Sequence, residues 1–543
     1  MYIVHLHDIE INEAKVGAAI DALKEQSAAG PDGIPARILK EMRDELVRPL
    51  TRLFKQSFEH GSIPDDWREA IISPIFKKGS KAKPENYRPV SLTNIVGKLM
   101  EKIVKQDIME YIEANNLLSN SQHGFRAGRS TQTNLIEFFD RTTKWLDEGK
   151  SFDVLYLDFA KAFDKVCHES LIVKLEAVGI GGKLLEWLRD WLRGRKQKVR
   201  VEGVCSEWEE LRSGVVQGSV LGGALFDIFI DDIDDAANDE RTIARKFADD
   251  TKVAKVVDTE DDGRAMQAMI DGFSEWAKKW AMTFNAEKCR VVHVGRNSRR
   301  TEYVMDGIKV GQATEERDVG VWIEASWKPS RQCAAAAKAA NFALGQLQRA
   351  FHYRRKSNLV PLYKCFVRPR LEFAVSAWSP WMEGDIKTLE KVQERLVRML
   401  SDVKGNTYEE KLRDAGLTTL AERRIRGDAI ETFKTLKGFN KVENWFAVVG
   451  TDARPTRSTT SVSEEGEERR EWVLRVERAN LEIRRNSFTI RAAKTWNAVP
   501  DQVKNRSTVN SFKTAYDNWK AKNQLPETAD AAIEATSGSD NAI

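Results

Sequence analysis

Cysteine and long apolar runs are scarce in this 543-residue sequence. The five cysteines are scattered and no two of them form a Cys-x-x-Cys pair, which argues against a disulfide framework and against a zinc site. No stretch approaches the roughly 18 consecutive apolar residues of a membrane span, so we expect no membrane partner. The N-terminus lacks the basic start, apolar middle and cleavage site of a secretory signal, which predicts an intracellular protein of the nucleus or cytoplasm.

Net charge is also small, at +4, and by itself indicates no nucleic-acid partner. The basic residues are nevertheless unevenly distributed. Residues 77–102 contain seven basic and two acidic side chains, and residues 189–200 contain six basic side chains against one acidic one. A solvated helix face accounts for many single runs of this kind, but several on one chain favour a polyanionic partner.

Secondary-structure patterns predict an α+β chain with a small antiparallel sheet and a helical C-terminal half. Helical periodicity begins near Asn12, an N-cap candidate, and dominates to about Lys150, apart from the basic stretch around Lys77. From Phe152 short strand-like runs alternate with helices, and beyond Trp327 the pattern is almost wholly helical. The predicted strands are 152–157, 198–201, 243–248, 251–257, 290–295 and further short strands within 307–321.

Two acidic elements lie at the ends of predicted strands. Asp158 follows the run 152–157, and only Asp249 and Asp250 separate two later runs, which is the spacing of a hairpin with acids at its tip. Asp is common in solvated turns, so either element alone is weak evidence of a site. The flanking apolar residues predict burial, however, and buried carboxylates need cations to offset desolvation. Two Mg²⁺ ions about 3.5–4 Å apart, held by carboxylates from separate strands, would supply them.

Three motifs in this part of the chain resemble those of reverse transcriptases of non-LTR retrotransposons, in particular the LINE-type, jockey-like group. They are the aromatic-Ala-Asp-Asp box Phe247–Asp250, the first metal-binding box Asp158–Asp164, and the segment Ser213–Leu221 that carries glycine and glutamine. Motifs similar to the fingers region extend the resemblance over roughly residues 14–300: Gly30–Pro35, Asn86–Leu92 and Gln122–Arg126. Less specific similarity to the C-terminal half of such polymerases is found at Leu371–Pro380 and Phe488–Asn497.

The resemblance implies a right-hand polymerase that copies RNA into DNA. We expect fingers and the start of the palm in residues 1–150, a palm with the catalytic carboxylates in 151–322, and a helical thumb in 323–405. A C-terminal helical region with a polar linker near 451–469 would occupy 406–524, before a disordered tail at 525–543. The implied partners are an RNA template, a DNA primer, the RNA/DNA hybrid and dNTPs, and the implied cofactor is a pair of Mg²⁺ ions. The oligomeric state stays open.

The same resemblance implies roles for three acidic residues and one aromatic residue. Asp158 and Asp249 would ligate both Mg²⁺ ions, and Asp250 would complete the acidic site. Phe163 occupies the position of the family's steric gate, where a bulky ring would clash with a ribose 2′-hydroxyl and so favour DNA over RNA synthesis. The alternative for Phe163 is a phenylalanine that only packs in the core.

Further residues would bind the nucleotide. Arg88 and one lysine of the Lys77-Lys78 pair are candidates to grip the triphosphate, and the sequence leaves the choice of lysine open. The Gln217-Gly218 dipeptide would lie against the incoming nucleotide and the template. Lys288 resembles a lysine that protonates the departing pyrophosphate, but an exposed surface lysine fits the sequence equally well.

Some features depart from the family pattern. Phe247 replaces the commoner tyrosine, and Gly222-Gly223 stands where Gly-Pro is usual. No nuclease-like domain, RNase H region or Cys/His knuckle is evident, so we expect a truncated or fragmentary element product.

Two other functions remain open. A viral RNA-directed RNA polymerase shares the paired-carboxylate logic, but it would favour a Gly-Asp-Asp tip and a smaller or polar residue than Phe163. A decayed or co-opted element protein would bind RNA without polymerising, and the presence of all three acids disfavours it mildly. Primer extension on an RNA template separates these functions.

Overall fold

The computed structural model describes residues 5–237, 239–443, 445–448 and 472–523. The predicted polar linker at 451–469 and the predicted disordered tail at 525–543 lie outside the described residues, so both stay predictions. Within the ranges that the structure describes, no helix is both long enough and apolar enough to cross a bilayer.

The strands form two larger mixed sheets and two small hairpins. One larger sheet contains β1, β2, β4, β5 and β6, and the other has the order β12-β9-β3-β8-β7. The strands are β1 (Glu69–Phe76), β2 (Tyr87–Thr93), β3 (Phe152–Leu157), β4 (Arg195–Val201), β5 (Val204–Cys205), β6 (Glu209–Leu211), β7 (Thr242–Phe247), β8 (Asp250–Val256), β9 (Arg290–Val294), β10 (Val304–Met305), β11 (Ile308–Lys309), β12 (Gly311–Ala313), β13 (Glu315–Asp318) and β14 (Val321–Glu324).

The basic stretch around Lys77, which was excepted from the predicted helices, contains a pair of strands that the sequence did not predict. That stretch joins β1 and β2 in an antiparallel hairpin, and β1 also runs parallel to β4, which carries the second basic run. The local pattern hides the hairpin because Pro74 stands opposite Pro89, and proline is unusual within paired strands. The second basic run therefore lies in β4 of the same sheet, where β1 separates it from β2, the strand that carries Arg88 of the first run.

The sheet built on β3 confirms the predicted strands in the middle of the chain. β3 has the predicted bounds and lies between β8 and β9, and it runs antiparallel to both. Only the edge strand β12 runs parallel to its neighbour, so this sheet is almost wholly antiparallel, as predicted. Because β3 is central and covered on both faces, its sequence is largely apolar rather than alternating, with the buried Asp153 as the exception.

Helices cover both faces of this sheet. α1 begins at the predicted cap, since the Asn12 side chain accepts a hydrogen bond from the Lys15 N–H. The helices up to the end of the sheet are α1 (Glu13–Asp21), α2 (Ala36–Glu41), α3 (Arg43–Glu59), α4 (Ile95–Ala114), α5 (Thr131–Asp147), α6 (Ala162–Lys165), α7 (His168–Ala177), α8 (Gly182–Leu192), α9 (Gly222–Ile230) and α10 (Glu260–Lys279), with 3₁₀ turns at Asp65–Arg68, Pro84–Asn86 and Asp231–Ala237.

The C-terminal part is helical in its described residues, as predicted. A π-helical turn, Tyr363–Val367, joins two of its helices. The helices are α11 (Ser330–Ala350), α12 (Lys356–Leu362), α13 (Arg368–Glu372), α14 (Val375–Trp378), α15 (Glu383–Met399), α16 (Tyr408–Asp414), α17 (Leu420–Leu436), α18 (Glu482–Arg485), α19 (Phe488–Asn497), α20 (Asp501–Lys504) and α21 (Val509–Asn523).

Alternate residues of β3 face two different cores. Leu155 and Leu157 pack with the N-terminal helices, whereas Phe152 and Val154 pack with Trp327 and the first C-terminal helices. Burying each such side chain contributes roughly 1.5–3 kcal/mol to folding. A third core joins α17, α19 and α21 to α5, so α5 links the sheet to the C-terminal helices.

Candidate active site

The β7–β8 hairpin carries two of the predicted acids. Phe247 pairs with Asp250, so Ala248 and Asp249 form its two-residue turn. The predicted hairpin is confirmed, but its turn lies one residue earlier than predicted, because Asp250 already belongs to β8. Ala248 adopts a φ of 55°, a left-handed conformation that costs a residue with a Cβ on the order of 1–3 kcal/mol. This turn therefore needs support from the surrounding structure.

Gln122 supplies that support. Its buried side-chain Oε1 accepts hydrogen bonds from the N–H groups of Ala248, at 3.0 Å, and Gly124, at 2.8 Å. Its Nε2 donates to the Ala248 carbonyl oxygen at 3.4 Å, and the backbone of residues 121–123 pairs with Lys246 of β7. The sequence placed Gln122 in a fingers-type motif but gave no sign of this contact, because the two residues are 126 positions apart.

Asp158 lies at the same edge of the sheet as this turn. It directly follows β3, whose last residue, Leu157, is the register partner of Thr251. Continuing that antiparallel register brings Asp158 beside Asp250, and directly opposed Cα atoms in such pairs are about 4.5–5.5 Å apart. The predicted meeting of the two acidic elements at one edge is therefore what the strand pairing produces.

Lys288 is held beside Asp158 by backbone and ring contacts. The Asn285 N–H donates to the Asp158 carbonyl oxygen at 2.7 Å, and the rings of Phe159 and Phe284 stack with centroids 4.4 Å apart. These contacts leave the Lys288 Nζ 3.9 Å from the Asp158 Oδ1, while the lysine side chain is 63% exposed. Lys288 thus belongs to the acidic edge and is also open to solvent, and its role stays a prediction.

The three acids at this edge influence one another electrostatically. Burial raises the pKa of Asp249, and the negative charge of Asp158 raises it further. Burial and then the charges of Asp249, Asp318 and Asp158 raise the pKa of Asp250 to about 6. The Asp250 side chain is nevertheless solvent-exposed, so the surrounding protein and carboxylates raise its pKa without enclosing it.

Two of the three predicted phosphate-binding cations face these acids. Arg88 and Lys77 both lower the pKa of Asp249, and Lys77 also lowers the pKa of Asp250. Both cations lie at the loop end of the β1–β2 hairpin and are exposed to solvent. Lys78 is not among the main influences on either pKa, and the choice between the two lysines stays a prediction.

Phe163 packs in an aromatic group behind the first acidic box. Its ring stacks on Phe226 with centroids 4.3 Å apart and meets the exposed ring of Phe125 edge-on at 6.1 Å. A Cβ at Gly223 would lie 2.5 Å from the Phe125 ring, so the second glycine of Gly222-Gly223 makes room for that ring. Phe163 itself is only partly buried, which keeps both the gate and the packing interpretations open.

The segment around Gln217 lies against β2. The Ser91 N–H donates to the Gln217 carbonyl oxygen at 2.9 Å, and Gly218 has a φ of 119°. A Cβ at Gly218 would lie 2.7 Å from the Ser91 carbonyl oxygen, so this close approach requires glycine. Nearby, the Val215 N–H donates to the Phe163 carbonyl oxygen at 2.9 Å. The segment therefore connects β2 with the residues around Phe163.

Residues 75–328 match the sequence model of the family described as reverse transcriptase (RNA-dependent DNA polymerase). All of the predicted site residues, from Lys77 to Lys288, fall within this match. Residues 75–328 form a reverse transcriptase domain. The resemblance identified from the motifs is thereby confirmed, together with the reverse transcriptase fold and the α+β class.

Relatives of the reverse transcriptase domain include proteins of insect mobile elements. The chain is 27% identical over 402 residues to "RNA-directed DNA polymerase from mobile element jockey" of Drosophila funebris. The aligned region covers 71% of this chain and 43% of that protein. It is 26% identical to "Probable RNA-directed DNA polymerase from transposon X-element" of Drosophila melanogaster, over 71% of this chain and 43% of that protein. The chain therefore spans less than half the length of these relatives.

A solved structure of apo telomerase from Candida Tropicalis, truncated from the C-terminal domain, aligns with 54% of this chain and 59% of its own. The alignment has 13% identity and a TM-score of 0.36, a likeness too distant to bear on the fold.

The reverse transcriptase domain also holds a buried ion pair below the acids, which sequence reasoning missed. Lys252, two residues after Asp250 on β8, pairs with Asp318 at the end of β13, and both side chains are nearly fully buried. Burial lowers the pKa of Lys252 and raises that of Asp318, while each charge opposes the shift of the other. The two lysines within this buried strand, Lys252 and Lys255, were the signal that could have revealed it.

Enzymes of the reverse transcriptase family generally use divalent metal ions. Among the residues that the structure describes, no three His, Cys, Asp or Glu side chains converge closely enough to form a ready-made metal site. Asp158, Asp249 and Asp250 still fit such an ion, because they offer hard oxygen donors from neighbouring strand ends. A divalent cation between them would also relieve the repulsion that raises the pKa of Asp249 and Asp250.

Proposed function

We propose that this protein is the RNA-directed DNA polymerase of a retrotransposable element, which extends a DNA primer with dNTPs along an RNA template. The observation that carries the proposal is the grouping of Asp158, Asp249 and Asp250 at one sheet edge, faced by Lys77 and Arg88. Transfer of a nucleotidyl group needs cations for the triphosphate and carboxylates for divalent metal ions. The reverse transcriptase domain and the RNA-directed DNA polymerases among the relatives support the same reaction.

In this proposal Asp158 and Asp249 would be ligands of two Mg²⁺ ions, and Asp250 would complete the acidic site. Bound ions stabilise the attacking and leaving oxygens of the transfer. The protein itself places the carboxylates: Gln122 fixes the turn that carries Asp249, and the pairing of β3 with β8 fixes Asp158 beside it. Such preorganisation is the usual contribution of a protein scaffold to this chemistry.

Residues around the acids would bind and select the nucleotide. Arg88 and Lys77 hold the triphosphate, and Lys288, beside Asp158, supplies a proton to the departing pyrophosphate. Phe163 presents its ring to the ribose 2′-position, and the 217–218 segment supports the nucleotide and the template. In this proposal the fingers, palm and thumb have the predicted limits 1–150, 151–322 and 323–405. They bind the template, the primer and their hybrid. The reaction takes place in the nucleus or cytoplasm.

Primer extension on an RNA template, with dNTPs and Mg²⁺, tests the proposal. The unmodified protein should incorporate dNTPs, and Asp249→Ala should reduce incorporation to background while RNA binding persists. Asp65→Ala is the matched control, because the Asp65 side chain is fully exposed on a 3₁₀ turn, and it should retain activity. An unmodified protein that binds RNA but incorporates no nucleotide contradicts the proposal and supports the alternative of an RNA-binding protein without polymerase activity.

A further inference from the structure

A basic cavity lies among the C-terminal helices. It has a volume of about 1020 Å³, and all of its lining residues fall between Lys364 and Ala521, whereas the reverse transcriptase domain ends at residue 328. The π-helical turn before α13, together with α13, α16, α17 and α21, surrounds it. Seven of the lining side chains are basic and three are acidic. The cavity therefore has a surplus of positive charge in a chain whose net charge is only +4.

Two arginines at this cavity share one carboxylate. Arg423 bonds both oxygens of Glu372, and the Arg368 Nε lies 3.7 Å from the same carboxylate. Burial and the nearby charge of Arg423 lower the pKa of Arg368. One anion therefore serves two guanidinium groups, which leaves part of their charge uncompensated.

Two further cations of the cavity are fully paired. Arg426 bonds both oxygens of Asp517, at 2.5 and 2.7 Å, and the Lys520 Nζ lies 3.1 Å from a Glu422 oxygen. These pairs use two of the three lining acids. They hold α17 and α21 together. The other lining cations therefore have no share in these two carboxylates.

Three lining cations have no carboxylate partner among the described residues. Lys364, Arg413 and Lys513 come from three different helical segments, and no described carboxylate oxygen lies within 4.0 Å of their charged nitrogens. The remaining lining acid, Glu409, is likewise outside that distance from any cation. Like charges gathered around one cavity repel each other, so an anionic ligand would stabilise this arrangement.

We propose that this cavity binds single-stranded RNA through its phosphates and so forms a second contact for the template outside the polymerase site. The identity of the polyanion rests on the proposed function. The guanidinium groups of Arg368, Arg413 and Arg423 match phosphate oxygens in geometry. The volume slightly exceeds the roughly 300–1,000 Å³ of small-molecule sites. Cations on separate helices also suit a chain of repeated anions better than a single phosphate.

Equilibrium binding of a fluorescent 20-nucleotide oligouridylate to the full chain tests the proposal. A blunt RNA/DNA hybrid in excess occupies the polymerase site, and affinity is measured as a function of salt. The triple variant Lys364→Gln, Arg413→Gln, Lys513→Gln should bind more weakly, because three phosphate contacts are lost. The slope of log affinity against log salt should flatten by about 2, since each contact to a single strand contributes about 0.7.

A second triple variant, Lys24→Gln, Lys55→Gln, Lys183→Gln, controls for net charge, because it removes the same charge from exposed lysines of the N-terminal part. Its salt slope should equal that of the unmodified protein. The proposal is overturned if the salt slope flattens equally in both triple variants, or if it does not flatten in the cavity variant. Displacement of the oligouridylate by polyglutamate of equal length as effectively as by unlabelled oligouridylate overturns the choice of RNA.

Folding and location are checked in the same samples. The urea midpoint of the cavity variant should equal that of the unmodified protein, because its three substitutions lie on the cavity surface. Photocrosslinking of an oligouridylate that contains 4-thiouridine should label peptides from 364–372, 408–426 and 509–523, and labelling confined to other peptides overturns the proposal.

Primer extension on a short template separates this proposal from the proposed function. The double variant Arg413→Gln, Lys513→Gln, whose residues lie beyond the proposed thumb at 323–405, should extend a primer on a short template normally, because neither substitution lies at the acidic edge. If the unmodified protein extends no primer but the salt slope still flattens in the cavity variant, the polymerase proposal is refuted and the cavity proposal stands. If the unmodified protein extends the primer but the salt slope is unchanged in the cavity variant, the cavity proposal is refuted and the polymerase proposal stands.

Discussion

The acidic sheet edge of the reverse transcriptase domain and the basic cavity of the C-terminal helices both leave charge unpaired, with opposite signs. At the edge, Asp158, Asp249 and Asp250 face each other, and the pKa of Asp249 and of Asp250 is raised. In the cavity, three cations have no described carboxylate partner. Beneath the edge, by contrast, Lys252 and Asp318 pair with each other. Each proposed binding site thus keeps part of its charge uncompensated, whereas Lys252 and Asp318 compensate each other within the scaffold.

The two regions also differ in how their charges are held. The acids follow strand ends and a turn, whose backbone is fixed by strand pairing and by the Gln122 side chain. The cavity cations are long side chains on separate helices, which keep rotational freedom until a ligand binds. We infer that the edge is preorganised for chemistry and that the cavity is adaptable to a flexible strand.

The largest effect is expected from breaking the paired charge. Asp318→Ala leaves Lys252 buried without its partner, so the free energy of unfolding should fall by about 3–5 kcal/mol. Replacing both residues, Lys252→Met with Asp318→Leu, should restore most of that loss, because the apolar pair needs no compensation. Urea denaturation measures both effects. A loss below about 1 kcal/mol for Asp318→Ala would show that the pair does not support the sheet.

The second effect concerns the support of the turn. Gln122→Leu removes the hydrogen bonds to Ala248, and a misplaced catalytic group can cost about 100-fold in rate. We expect kcat for primer extension to fall by about that factor, with KM for dNTP little changed. Gln122→Glu keeps the Oε1 acceptor and should retain more activity. Equal losses of kcat, RNA binding and stability would instead show that Gln122 has only a general structural role.

The third effect concerns nucleotide selection. Phe163→Val removes the ring that the proposed function places against the ribose, so incorporation of rNTP relative to dNTP should rise, by up to about 100-fold. Phe125→Leu is the matched control, because Phe125 contacts the same ring from its exposed side. Competition between rNTP and dNTP in single-nucleotide extension measures the ratio. An unchanged ratio in Phe163→Val would show that Phe163 only packs on Phe226.

The smallest effect is the change in the free energy of unfolding per pH unit that we expect from an unpaired acid away from both sites. Asp227 of α9 is fully buried, neither of its oxygens has a hydrogen-bond partner among the described residues, and burial raises its pKa well above the usual value. Because the folded state holds this proton more tightly than the unfolded state, Asp227 costs stability increasingly as pH rises above about 3.9.

Asp227→Asn removes this titration. Its stability relative to the unmodified protein should therefore grow with pH, by up to about 1.4 kcal/mol per pH unit, until the folded pKa is passed. Urea unfolding at pH 5, 6, 7 and 8 measures the difference. Parallel stability curves for the two proteins would mean that Asp227 has a partner in solution that compensates its charge.

Local pattern predicted the features that depend on near neighbours in sequence. Asp158 follows a strand whose length and composition are visible in the sequence, and the two acids at 249–250 interrupt an apolar hairpin. The Asn12 cap is likewise a local signal. In each case the type of element follows from residues within a few positions, although the strand partners of β3 are distant in sequence.

Contacts across long sequence separations could not be predicted in this way. The hydrogen bonds from Gln122 to Ala248 span 126 residues, and the Lys252–Asp318 pair spans 66. The β1–β2 hairpin was missed because its parallel partner, β4, is distant in sequence and its own prolines weaken the pattern. The cavity cations come from helices whose packing no local periodicity specifies.

Iron-mediated backbone cleavage tests most directly whether the acids at the sheet edge are the metal-binding centre. Fe²⁺, with ascorbate and peroxide, generates hydroxyl radicals that cut the chain next to its binding site. We expect cuts beside Asp158 and within 248–250, their suppression by excess Mg²⁺, and their loss in Asp249→Ala. Cuts confined to another acidic recess, such as the one lined by Asp140 and Asp234, would place the metal elsewhere and contradict the proposed centre.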